Sequence, residues 1–182
     1  MREISLHILD IVQNSIAAGA NRIEIKAEAD TKRDWLTVTV KDDGRGIPDD
    51  MLERITDPFV TTRTTRKVGL GLPMLKAAAE MCGGGLRIGS VEGKGTEVTA
   101  QFGLSHIDRM PYGDIVGTIV TIIAANPDRD FRYEHIVDDR VFVFDTSDIR
   151  RELDDVPINA LPVLNWIRGY LEEGIARVGA IL

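Results

Sequence analysis

Four short stretches carry side chains whose types and spacing could do chemistry. Asp10 and Asn14 stand four apart, so on a helix they project from one face, and Glu3 and His7 continue that stripe. "DDGRG" sets Asp42, Gly44 and Gly46 as D-x-G-x-G. "TTRTTRKVGLGLP", residues 61–73, runs four threonines and three cations into two glycines and a proline. "EGKGTEV" adds Gly95 and Thr96. Glycine loops that enter helices commonly hold phosphate, yet the two standard motifs fail when read literally. "GLGLPM" has Met74 where a dinucleotide loop needs its third glycine, and in "EGKGT" Gly95 stands where a P-loop needs Ser or Thr. Taken singly, the Asp/Asn pair reads as a solvated helix face, "DDGRG" as a tight turn and the threonine–arginine run as solvated coil.

The elements that must position these residues follow from periodicity. Ile4, Ile8, Ile11, Val12 and Ile16 mark a helix over residues 3–18, stopped by Gly19. "RIEIKAEA" (22–29) and "WLTVTVK" (35–41) alternate as half-buried strands across a polar turn. "DDGRGIPDD" is a loop, "MLERI" a short helix, and "PMLKAAAEMC" a helix with Pro73 at its first position and Gly83 beyond its end. "GLRIGSVEGKGTEVTAQF" reads as two strands joined by a glycine turn. Beyond residue 105, "IVGTIVTIIAA" (115–125) reads as a buried helix, although its β-branched residues also suit a strand. "FRYEHIVDDRVFVFDT" is a hairpin turning at Asp138–Asp139. The last segment lines up Leu164, Ile167, Leu171, Ile175 and Val178 on one helical face.

With 43% hydrophobic and 28% charged residues, the 182-residue chain reads as an ordinary globular protein with a real core. No apolar run reaches the roughly 18 residues of a membrane span, and "MREISLHILD" alternates charge too early for a secretory signal. Cys82 is the sole cysteine, which rules out a disulfide framework and a cysteine-built metal site within one chain. A cytoplasmic location is expected, with no membrane partner. Residues 1–104 are nearly neutral at −1, whereas residues 105–182 carry −6 and no lysine. So acidic a tail repels phosphate backbones, so no nucleic-acid partner is expected. His106 and His135 read as structural or exposed.

The four stretches, in this order, resemble the GHKL superfamily of ATP-binding domains: sensor histidine kinases, type II topoisomerases, mismatch-repair ATPases, heat-shock chaperones and anti-sigma serine kinases. "LDIVQNSIAAGANRIEI" looks most like the mismatch-repair version of the first motif, and "DPFVTTR…GLGLPMLKAAAEMCGGGLRIGSVEGKGTEV" most like the sensor kinases. The resemblance implies an α/β (α+β) two-layer sandwich, with a mixed, largely antiparallel sheet covered by helices on one face. Residues 1–104 would be the ATP-binding domain and residues 105–182 a C-terminal α/β extension.

It also implies roles. Asn14 would offer its side-chain oxygen to Mg²⁺ between the ATP phosphates. Asp42 would accept the adenine amino hydrogen, whereas guanine would present an oxygen there, a mismatch on the order of 10⁴ in selectivity. Gly44 and Gly46 would let backbone approach base and sugar, and Thr96 would add a hydroxyl near the adenine. Thr62, Arg63, Gly69, Leu70 and Gly71, with Lys67, would form an ATP lid over the phosphates, closed by ATP and open otherwise. Asp10 is the candidate general base; it sides with the glutamate of the hydrolases and serine kinases but is one methylene shorter, which predicts slow hydrolysis. Lys67 departs from the glycine usual in sensor-kinase lids. The expected function is an Mg-ATP-binding regulator, a slow ATPase whose lid switches partner interactions, with a protein partner met through the acidic extension. The alternatives are a trans-acting protein kinase, of the anti-sigma serine type or a split histidine kinase catalytic domain, and a non-catalytic nucleotide-binding scaffold.

Overall fold

Alternation of apolar and polar side chains builds the centre of the molecule. In the computed structural model, which describes residues 2–52 and 71–181, β1 (Arg22–Asp30) buries Ile23, Ile25, Ala27 and Ala29 and turns Arg22, Glu24, Lys26 and Glu28 to the other face. β2 (Trp35–Asp42) does the same with Leu36, Val38 and Val40. β3 (Gly85–Val91) and β4 (Gly95–Gly103) pair beyond β2, and β5 (Asp130–Val137) and β6 (Arg140–Asp145) lie on the far side of β1. The order is β3-β4-β2-β1-β5-β6, antiparallel throughout except where β5 runs parallel to β1. The sheet is therefore mixed and largely antiparallel, as expected.

Helices cover one face. α1 (Ile4–Ala17) buries Ile4, Ile8, Ile11 and Val12. Gly19, at φ +80°, ends it as the N–H groups of Gly19 and Ala20 turn back to the carbonyls of Ile16 and Ser15. Its first turn has no side-chain cap; instead Ile4 N–H donates to the Pro111 carbonyl (3.0 Å) and Ser5 N–H to that of Tyr112 (2.9 Å). α3 (Gly71–Met81) lies beside α1 and over β3 and β4. It already includes Gly71 and Leu72, ahead of the Pro73 that the proline rule puts first. α2 (Asp49–Leu52) likewise starts before "MLERI", on the acidic pair Asp49–Asp50, which suits a helix N-terminus.

The C-terminal part joins the same sheet and core. α4 (Ile115–Ala125) is a helix despite its β-branched residues: Asp114 accepts the Gly117 N–H at its N-terminus (2.7 Å), and Ile115, Ile119, Ile122 and Ile123 are buried. β5 and β6 form the hairpin that turns at Asp138–Asp139, and a short helix that periodicity does not reveal, α5 (Thr146–Glu152), follows with Asp145 as its cap. α6 (Leu161–Val178) buries Val163, Ile167, Leu171, Gly174 and Val178. The buried stripe is thus rotated from the expected one, and Leu164 and Ile175 sit half-buried on its flank, because the missing Cβ of Gly174 lets the Phe142 ring into that side. His135 is wholly buried, its Nδ1 2.8 Å from the Tyr133 hydroxyl and its Nε2 2.8 Å from the Gly179 carbonyl oxygen, whereas His106 is exposed.

Candidate functional site

The covered face of the sheet is apolar row by row until its last row. Val38, Ala100 and Leu86 stand side by side on β2, β4 and β3, and Val40, Val98 and Ile88 form the next row. The following row is Asp42, Thr96 and Ser90. A carboxylate and two hydroxyls thus replace aliphatic side chains where the strands end and the D-x-G-x-G loop begins.

Asp42 is 8% exposed, and among the described residues each of its oxygens meets one donor. Ser15 Oγ, from the buried stripe of α1, donates to Oδ2 at 2.6 Å, and the Gly44 N–H donates to Oδ1 at 2.9 Å. A carboxylate has about four acceptor positions, so lone pairs remain for a ligand. Thr96 Oγ1 is 2.9 Å from Ser90 Oγ, which also lies 2.9 Å from the Gly95 carbonyl oxygen and receives the Ile47 N–H at 2.8 Å. The loop after β2 is held on its other sides by Arg45 N–H donating to the Ala18 carbonyl (3.0 Å) and Gly93 N–H to that of Arg45 (2.7 Å).

The glycines are used for close approach within the chain. Gly46 has φ +69°, and a Cβ there would overlap the Val91 carbonyl. One at Gly95 would overlap the Asp42 carbonyl, and one at Gly44 would lie 3.0 Å from Asp42 Oδ1. At Gly71 the position of a Cβ is taken by the Asp10 carboxylate, so the first helix and the described start of α3 touch at that point. An anion is favoured there by the helix dipole. Asn14 lies one turn further along α1, partly exposed like Asp10.

The structure brings together Asp10 with Gly71, and Asp42 with Gly44, Gly95 and Thr96. Thr62, Arg63, Lys67, Gly69 and Leu70 lie outside the described residues. His7, on the Asp10/Asn14 stripe, is 2% exposed, and its Nδ1 has no hydrogen-bond partner among the described residues. Burial pushes its pKa below the ordinary histidine value, and Asp10 opposes this. Ser15 and Ser90 are site residues that motif reading missed. Both carried a signal: each interrupts an apolar series, Ser15 after Ile4, Ile8 and Ile11, and Ser90 after Leu86 and Ile88.

Residues 2–106 match the family of histidine kinase-, DNA gyrase B- and HSP90-like ATPases. The chain belongs to this GHKL ATPase family. Among curated relatives, a putative NtrY-like sensor histidine kinase of Rickettsia bellii is 29% identical over 59% of this chain and 17% of its own length. The sensor histidine kinase ZraS of Salmonella typhimurium is 37% identical over 50% of this chain and 20% of its own. This GHKL chain therefore spans about a fifth of the length of those relatives or less. A solved N-terminal domain of a DNA repair protein shares the fold, with a TM-score of 0.55 at 16% identity, over 79% of this chain and 52% of that one. That share is larger than residues 2–106, so the likeness of fold reaches into the extension. No described helix is long and apolar enough to cross a membrane.

Proposed function

We propose that this GHKL domain binds Mg-ATP at the polar end of the covered sheet face and hydrolyses it slowly, its nucleotide state being read by a protein partner. The observation that carries the reading is the row Asp42, Thr96 and Ser90, laid in register across three strands on an otherwise apolar face. The Ser15 and Gly44 donors fix the Asp42 carboxylate in one orientation and leave acceptor positions for an exocyclic amino group. Thr96 would supply the second polar contact to the base. Asp10, beside the start of α3, would take the proton of an attacking water.

Magnesium fits the donor chemistry. Asp10 and Asn14 offer a carboxylate and an amide oxygen one helical turn apart, and Asn14 would be the protein ligand. The described residues contain no cluster of three His, Cys, Asp or Glu side chains that could hold a metal alone. Magnesium needs none, since it binds through one or two protein oxygens, phosphates and water. Bound there, it would neutralise charge on the phosphates. The lid role of residues 61–73 and the partner role of the acidic extension rest on sequence.

Titration calorimetry with Mg-ATP, paired with a phosphate-release assay, tests the reading. Heat of binding is expected for the wild type. Asp42→Asn, which puts a donor where an acceptor is needed, should weaken binding by about tenfold or more. Asp10→Asn should bind normally and lose roughly 10²-fold or more in phosphate release. No heat for ATP or ADP at millimolar concentration with magnesium present refutes the site, and unchanged release in Asp10→Asn removes Asp10 from the chemistry. A second reading, phosphoryl transfer to another protein, draws on the sensor histidine kinases among the relatives; labelled phosphate from ATP appearing on a partner chain would select it. Binding with neither outcome leaves a nucleotide-dependent scaffold.

A further inference from the structure

A chain of buried polar groups ties the end of the last helix to the start of the first. Tyr112 precedes α4, Tyr133 and His135 lie on β5, and Gly179 follows α6. The Tyr112 and Tyr133 hydroxyls are 3.2 Å apart, the Tyr133 hydroxyl is 2.8 Å from His135 Nδ1, and His135 Nε2 is 2.8 Å from the Gly179 carbonyl oxygen. None of the three side chains is more than 3% exposed.

The direction of the chain is fixed from one end. The Gly179 carbonyl can only accept, so His135 carries a hydrogen on Nε2 and donates it. In the neutral ring Nδ1 is then the acceptor, Tyr133 donates to it, and the Tyr133 oxygen accepts from Tyr112. Three donors meet three acceptors. A second proton on His135 makes Nδ1 a donor as well, and four donors then share the same three contacts. Both bonds to the imidazolium become charge-assisted and hold, so Tyr133 must turn its hydrogen towards Tyr112. The Tyr112 hydrogen is displaced without another acceptor, because among the described residues its hydroxyl meets only that of Tyr133.

Tyr112 is also where α1 is held. Its carbonyl receives the Ser5 N–H (2.9 Å), and the neighbouring Gly113, at φ +83°, is pressed so closely on Glu3 and Ser5 that a Cβ has no room. The Tyr112 hydroxyl reaches water only if this segment moves, and that movement draws the carbonyl off Ser5.

We propose that His135 is a switch built into the fold: uptake of a proton reverses the chain, strands the Tyr112 hydroxyl and loosens the start of α1, the helix that bears Asp10 and Asn14. Its neighbours in the sheet are Ala27 on β1 and Phe142 on β6, and no buried residue of α4 or α6 titrates. The titratable groups that face it are the two phenols, with Arg140 of β6 beside Gly179 and Glu3, at the entry to α1, beside Gly113. Burial raises the pKa of both phenols, so neither becomes a phenolate that would accept the displaced hydrogen. Burial also lowers the pKa of the imidazole, against the effect of its bond to Gly179, so the chain keeps its neutral direction at pH 7 and turns in acid.

Nuclear magnetic resonance on the isotope-labelled full chain without nucleotide tests this, so that the outcome bears on the switch and not on the ATP reading. At about pH 7.5 the His135 ring should carry its one hydrogen on Nε2. Between about pH 7.5 and 5 the amide-exchange protection of Ser5 should fall by about tenfold more than that of Ile25 in β1, which reports global stability. His135→Gln, which takes up no proton, and Tyr112→Phe, which has no hydrogen to strand, should each abolish that excess. Tyr112→Phe keeps the buried ring and serves should His135→Gln perturb the fold, which circular dichroism reports. A neutral ring protonated on Nδ1, a Ser5 protection that follows Ile25 throughout the interval, or an excess fall that survives in either folded variant overturns the proposal.

Discussion

Replacing Ser15 by alanine isolates the hydrogen bond on which the orientation of Asp42 depends. The hydroxyl lies 2.6 Å from Asp42 Oδ2, and both residues are buried, at 3% and 8% exposure. A hydrogen bond to a charged acceptor contributes about 1.5–3 kcal/mol. Alanine is the better helix former by roughly 0.5 kcal/mol, which offsets part of the loss. The expected net destabilisation is therefore about 1–2.5 kcal/mol, or a fall in Tm of roughly 2–10 °C for a chain this size. Urea denaturation should show a lower midpoint at unchanged slope. An Asp42→Asn background should shrink the effect of Ser15→Ala by about 1 kcal/mol, because the hydroxyl then faces a neutral amide. If Ser15→Ala stays within about 0.5 kcal/mol of the wild type, as an ordinary surface change does, the bond is not holding the carboxylate and the reasoning fails.

Gly46→Ala should cost about 2–3 kcal/mol, since a side chain at φ +69° is strained and its Cβ would overlap the Val91 carbonyl; chemical denaturation reads this directly. The histidines set a pH dependence. Burial lowers the pKa of both His7 and His135 below the ordinary 6.5, so the unfolded chain takes up these protons first as pH falls. Stability should be full above about pH 7.5 and decline below it, and His135→Gln should flatten the decline between about pH 7 and 5.5; a Tm rising over that interval on acidification contradicts the assignment.

Local pattern made much of this molecule legible. The two-residue period of β1 and β2, the apolar stripe of α1 and the turn at Asp138–Asp139 each express themselves within a few residues. The ambiguous segment 115–125 became a helix because it packs against α1 and α6, which propensity cannot report. The place of β5 is another non-local fact: it lies parallel to β1, across a crossover that includes α4, and parallel neighbours leave no turn signature. In the candidate site, Asp42, Gly44, Gly46 and Thr96 announce themselves as motif letters. Ser15 and Ser90 do not, because their importance lies in facing Asp42 and Thr96 across a helix–sheet contact and a strand register.

Among the described residues, the first amides of the helix that bears Asp10 and Asn14 are held by main chain and by no capping side chain. The carbonyls of Pro111 and Tyr112 receive its first amides, and a carbonyl is the same group whatever side chain accompanies it. A change at Pro111 keeps that acceptor, whereas a change at Tyr112 also removes a buried ring whose hydroxyl lies 3.2 Å from that of Tyr133. A chain cut back to residue 104 would lose both carbonyls outright and leave that end of the helix to fray in water.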